Sequence, residues 1–154
     1  MRLGLLGGSF NPIHRCHLSI ARSARQLLQL DRVLFIPTGD PPHKQPGTLA
    51  TASHRHRMVQ LAIEDTPEFA LTDLEIRRSG KSYSIDTVRA IQQEYGPDTV
   101  LFFIIGLDAF LDLPSWKEAD TLLKSCHFVV ISRPSTSFQA MAAIPLFRDV
   151  PQTT

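Results

Sequence analysis

Between Gly7 and His17 the sequence reads GGSFNPIHRCH, placing two glycines, a serine and two histidines three apart within eleven residues. These types suit a phosphate ligand. Glycines let a backbone run close to a ligand, and a helix beginning just beyond them offers free N–H groups and a partial positive charge to an anion. His14 and His17, in the first turn of that helix, point to one side and can donate hydrogen bonds from their ring nitrogens to phosphate oxygens. Two other uses stay open. Gly7 and Gly8 could simply make a turn beside solvated histidines, or the histidines could ligate zinc, for which a third ligand is wanting because Cys16 would face away from the pair.

Such a cluster needs elements to hold it. Apolar runs at Arg2–Leu6, Arg32–Ile36, Phe69–Leu74, Thr99–Ile105 and His127–Ser132 read as short strands, several without polar alternation, as when helices cover both faces of a parallel sheet. Helical patterns separate them: Leu18, Ala21, Ala24 and Leu28; Met58, Leu61 and Ala62; Ile85, Val88 and Ile91; Ala119, Leu122 and Leu123. This alternation predicts right-handed βαβ units in one doubly wound α/β domain with a mostly parallel, Rossmann-like sheet. The glycines and histidines then fall at the carboxyl end of the first strand, where such sheets bind ligands. The irregular stretch Pro37–Thr51 is long enough to be functional.

Composition narrows the partners. The 154 residues are 43% hydrophobic and 20% charged with a net charge of +1, which fits one soluble domain and gives no basic surface for nucleic acid. No apolar run approaches the roughly 20 residues of a membrane span. Cys16 and Cys126 lie far apart and read as free thiols in a reducing cytoplasm.

The segment from Gly7 to His17 resembles the nucleotidyltransferase signature G-[GS]-[ST]-F-[DN]-P-x-H-x-G-H, with Cys16 where the signature has glycine. The loop PTGDPPHK ending at Lys44, the helix start SHRHRMV from Ser53, the stretch GKSYSIDT from Gly80 and the run FIIGLDAFLDLPSW ending at Trp116 together resemble nicotinate-nucleotide adenylyltransferase. The resemblance covers nearly all of residues 1–134 and implies transfer of an adenylyl group from ATP to nicotinate mononucleotide, giving deamido-NAD and pyrophosphate. It implies ATP contacts at Gly7, Gly8, Ser9, Phe10, His14, His17, Gly106 and Asp108. His14, His17 and Lys44 would neutralise charge in catalysis, with Mg²⁺ held mainly by the triphosphate and no protein metal site.

For the acceptor, the resemblance implies Ser82, Tyr83, Ser84, Trp116 and Lys117. Nicotinate carries a carboxylate that N–H groups at a helix start favour, and an indole face suits the positively charged pyridine ring. Bland roles remain beside these: core packing for Trp116 and a helix N-cap for Asp108. Arg55 and Arg57, on the helix start after the loop, are left unassigned between solvent and the mononucleotide, with a structural or phosphate-side role for Arg57 the one that the resemblance favours. Phosphopantetheine adenylyltransferase has a similar signature and is the alternative acceptor reading; a nucleotide-binding protein without catalysis is the other.

Relatives carry a second phosphate-binding element, I-S-[ST]-x-x-[IL]-R, after the fifth strand. Here the sequence after Pro134 reads STSFQAMAAIPLFRDVPQTT, in which neither Ser137 nor Arg148 has that spacing. The expectation is a C-terminally shortened single domain over residues 1–154, with a short helix at Ser135–Ala143, weak ATP binding, and an uncovered sheet edge through which copies form a homo-oligomer.

Overall fold

The computed structural model describes residues 1–40 and 50–132. Five strands, β1 (Arg2–Gly8), β2 (Arg32–Pro37), β3 (Phe69–Leu71), β4 (Val100–Gly106) and β5 (His127–Ile131), form one sheet in the order β3-β2-β1-β4-β5, every pair parallel. Six helices connect or flank them: α1 (Arg15–Leu28), α2 (Ala52–Ile63), α3 (Leu74–Arg77), α4 (Ser84–Tyr95), α5 (Leu107–Leu111) and α6 (Ala119–Ser125). The doubly wound α/β architecture read from the alternating pattern is the observed one.

The strands alternate their side chains between two cores. Leu3, Leu5, Leu34, Ile36, Leu101 and Ile105 face Ile85, Val88 and Ile91 of α4 and Leu122 of α6. Leu6, Val33, Phe35, Phe102 and Ile104 face Ala21 and Ala24 of α1 and Val59 and Ile63 of α2. Both faces are covered, which is why the strands read as continuous apolar runs.

Three local expectations are corrected. β1 runs through Gly8, so Gly7 and Gly8 pair with Ile36 and Pro37 as strand residues, and the left-handed position in the connection belongs to Phe10, at φ 48°. β3 stops at Leu71, and Leu74 opens α3. The buried face of α2 is Ala52, Arg55, Val59 and Ile63, whereas Leu61 is 50% exposed. A helical stripe spaced three, four and four residues is present there, but a charged residue occupies one of its places. The segment from Ser135 to Thr154, with its expected helix, lies outside the described residues.

Candidate active site

β1 and β4 are neighbours whose chains continue to opposite sides of the sheet, so the crevice at their carboxyl ends is the topological switch point of the fold. β1 delivers Gly7–Phe10 and then α1; β4 delivers Gly106 and then α5.

His14 is the N-cap of α1, extended at φ −140° and ψ 178°. Its Nδ1 accepts the N–H of Cys16 at 3.2 Å, and Nδ1 of His17 accepts the N–H of His14 at 3.0 Å. This is a capping box with imidazoles in both acceptor places, satisfying backbone donors that a helix start leaves unpaired. An imidazole that accepts at Nδ1 carries its proton at Nε2 when neutral. The two rings stack with centroids 3.8 Å apart, and among the described residues neither Nε2 has a hydrogen-bond partner. Phe10, 1% exposed, meets the His17 ring edge-on at 4.9 Å and packs toward Phe35 at 5.9 Å. Its side chain is therefore core that supports His17. Burial, and then the neighbouring His14, hold His17 below the ordinary histidine pKa.

The glycine expected at Gly106 to admit a ligand has open space above it: a Cβ there would meet no atom within 4 Å. Gly106 is also the N-cap of α5, so Asp108 is exposed in the first helical turn rather than capping it. Cys16 is exposed and Cys126 half-buried; both thiols are free, and burial pushes that of Cys126 up to about 12.

The residues expected at the acceptor lie on two segments, the start of α4 and the turn before α6, which Lys117 joins at Tyr83. Tyr83 is the N-cap of α4 and Ser84 its first residue, with no side chain capping that start. Trp116 ends a 3₁₀ turn (Leu113–Ser115) and is half-buried, its ring 6.3 Å from that of Phe103. Packing and exposure are thus both real for this tryptophan. Lys117 Nζ sits 4.8 Å over the Tyr83 ring and 3.3 Å from Asp86 Oδ2. Ser82 is half-buried just before Tyr83.

Arg55 is the residue that sequence reasoning left unassigned and the structure makes central. Its side chain is fully buried. Nε donates to Ala50 O at 2.8 Å, and one terminal nitrogen donates to Ser9 O at 2.7 Å and Thr38 O at 2.9 Å. The other donates to Asp40 Oδ1 at 3.4 Å, and that oxygen also accepts the Ala52 N–H. One guanidinium thereby ties the β1–α1 connection to both ends of the loop between β2 and α2. Asn11 adds a further tie by accepting the Ala50 N–H at 3.1 Å. Lys44 and His43 belong to that loop and lie outside the described residues. The signal for Arg55 was its place in the stripe Ala52, Arg55, Val59, Ile63. Arg57, by contrast, is exposed and donates to Gln60.

One turn into α4, the Thr87 hydroxyl is buried, donates to Glu75 Oε2 at 2.8 Å and accepts from Arg78 at 3.0 Å. Burial raises the Glu75 carboxyl above its usual range. Sequence patterns carry no mark of this network, whose members come from α3, α4 and the segment between them.

Residues 5–152 match the model of the cytidylyltransferase-like family. A protein of Citrifermentans bemidjiense named "Probable nicotinate-nucleotide adenylyltransferase" is 49% identical over 148 residues, which span 95% of this chain and 68% of that protein. One of the same name from Geotalea uraniireducens is 46% identical over 147 residues, again 95% of this chain and 68% of the relative. Among solved structures, Plasmodium falciparum nicotinic acid mononucleotide adenylyltransferase complexed with NaAD superposes with a TM-score of 0.69 at 22% identity, over 91% of this chain and 78% of that one. The same enzyme complexed with APC gives 0.67 at 20% identity, over 91% and 78%. At that identity these two likenesses speak to the fold.

Proposed function

The chain belongs to the nicotinate-nucleotide adenylyltransferases, within the cytidylyltransferase-like family, and on that premise we propose that it transfers the adenylyl group of ATP to nicotinate mononucleotide in the cytoplasm, a step of NAD biosynthesis. A phosphate oxygen of the mononucleotide attacks the α-phosphorus of ATP in line. A new P–O bond forms, the bond to the β-phosphate bridge breaks, and pyrophosphate leaves with the electron pair.

The observation that carries this reading is the reciprocal histidine cap at the switch point. His14 and His17 present two neighbouring Nε2–H donors whose orientation is set by the helix backbone before any ligand arrives. Donors preorganised toward developing charge lower a barrier more than donors that must reorganise. Gly7, Gly8 and Ser9 pass the backbone beneath the triphosphate. Gly106 gives room for the ribose and Asp108 accepts its hydroxyls. Lys44 adds positive charge from the loop that Arg55 anchors at both ends. On the acceptor side, N–H groups at Ser84 and Lys117 receive the nicotinate carboxylate while Trp116 covers the ring.

Among the described residues no three His, Cys, Asp or Glu side chains group to hold a metal ion. A divalent ion fits this site as a passenger of the triphosphate, where it supplies charge neutralisation; Mg²⁺ is the ion we assign. No helix among the described residues is long and apolar enough to cross a membrane.

The test is product formation from ATP with nicotinate mononucleotide, nicotinamide mononucleotide or phosphopantetheine offered in turn. Deamido-NAD and pyrophosphate in equal amounts from the first acceptor support the reading. Turnover only with phosphopantetheine assigns a different acceptor, and ATP binding without turnover on any acceptor makes the chain a nucleotide-binding protein.

A further inference from the structure

Two carboxylates and two cations clasp across the gap between the start of α4 and the turn that carries Trp116. Arg89 donates from its two terminal nitrogens to Glu118, at 2.8 Å to Oε1 and 3.1 Å to Oε2, a bidentate pair between residues 29 apart in sequence. Asp86 lies between them, 4.0 Å from Arg89 and 3.3 Å from Lys117 Nζ, while that lysine also covers the Tyr83 ring.

Glu118 holds a left-handed backbone, φ 49° and ψ 46°, without being glycine. That conformation is unfavourable for a side chain bearing a Cβ, and something must over-determine it. The Glu118 carbonyl accepts the Leu122 N–H at 2.9 Å, and the bidentate pair constrains its side chain, because a planar guanidinium meeting both carboxylate oxygens fixes direction as well as distance. Each partner also holds the other charged: the Arg89 pKa is raised and that of Glu118 lowered by their mutual hydrogen bond. Both side chains are exposed, at 48% and 40%, so the pair adds little to global stability. Its consequence is local. The two residues immediately before Glu118 are Trp116 and Lys117, and the residues one turn before Arg89 are Ser84 and Ile85.

We infer that the Arg89–Glu118 pair, backed by Asp86–Lys117, is a positioning clasp that sets the Trp116 ring against the uncapped start of α4 and thereby sets affinity for a pyridinium ring that carries a carboxylate. This rests on the acceptor proposed above. The clasp acts through Trp116; neither Arg89 nor Glu118 touches substrate. The nucleotide side, built on His14, His17, Gly106 and Asp108, does not depend on it.

Trp116 is the only tryptophan of the chain, so its fluorescence reports the turn directly. The experiment compares the full chain with Arg89→Ala, Glu118→Ala, the double variant and the exchanged pair Arg89→Glu with Glu118→Arg. Acrylamide quenching, dissociation constants for nicotinate mononucleotide and for ATP, and thermal melting are measured on each. Each alanine variant is expected to quench more readily and to bind the mononucleotide about fivefold more weakly, with ATP affinity within about twofold and melting unchanged. The double variant is expected to be no worse than either single one, and the exchanged pair to recover part of the loss. Unchanged mononucleotide affinity in the variants, equal weakening of ATP, or additive losses overturn the clasp. If the unaltered chain binds no nicotinate mononucleotide at all, the acceptor assignment itself falls and the clasp's role falls with it.

Discussion

His14 and His17 hold each other in place: the backbone N–H of His14 donates to Nδ1 of His17 at 3.0 Å, and the two rings stack at 3.8 Å. The helix cap and the candidate catalytic pair are the same two side chains. One substitution therefore touches both helix stability and chemistry, and the two effects differ in size. Loss of a cap costs about 1 kcal/mol of stability. Loss of a preorganised donor to transition-state charge costs roughly 100-fold or more in rate.

The first expected outcome follows from that separation. His17→Ala lowers turnover by on the order of 100-fold, with a smaller effect on mononucleotide affinity, because its donor is used mainly in the transition state. Steady-state kinetics beside a denaturant melt check it. Turnover that falls no further than folded fraction accounts for would leave His17 as a cap alone.

Stability should depend on pH through the same ring. Burial and His14 hold the folded-state pKa of His17 below the ordinary value of about 6.5. As pH falls below that value the unfolded chain takes up the proton first, so unfolding is favoured. The contribution is complete above about pH 6.5 and declines as the pH falls through the lower, folded-state value. Comparing urea unfolding of the wild type and His17→Gln from pH 7.5 to pH 5 isolates it from other titrating groups, Glu75 among them. The stability advantage of the wild type should shrink toward acid; a pH-independent difference contradicts this.

Trp116→Ala should weaken nicotinate mononucleotide binding by roughly 1–2 kcal/mol and leave ATP binding nearly intact. The half of the ring packed toward Phe103 adds a modest loss of stability, read separately from melting. Equal weakening of both ligands, measured by titration calorimetry, would make this tryptophan a packing residue only.

Arg55→Ala should be among the most damaging single changes in the chain. It leaves the carbonyls of Ser9, Thr38 and Ala50 without their shared donor and opens space beneath the β1–α1 connection. Breaking a buried, hydrogen-bonded charge typically costs 3–5 kcal/mol, against about 0.5 kcal/mol or less for an exposed residue such as Arg57. Chemical denaturation of Arg55→Ala and Arg57→Ala side by side tests the contrast. Similar stabilities would show that the carbonyls find other partners.

The sequence by itself determined what depends on near neighbours in the chain. Five apolar runs separated by helical patterns already specify a parallel sheet covered on both faces, and Gly7–His17 already carries the paired histidines that cap α1, because strand and helix periods and a helix cap are local properties. Tertiary structure decided the rest. That the Phe10 side chain lies in the core depended on Phe35 across the sheet. Whether Arg55 faced solvent depended on three carbonyls contributed by Ser9, Thr38 and Ala50, and periodicity weighs a charged residue as polar whatever awaits it. The α2 stripe was misplaced for that reason. The pairing of Arg89 with Glu118 across 29 residues could not be read at all. An ion pair between exposed side chains leaves no periodic trace in sequence, and forms only once packing has set two backbones at the distance a guanidinium and a carboxylate can span.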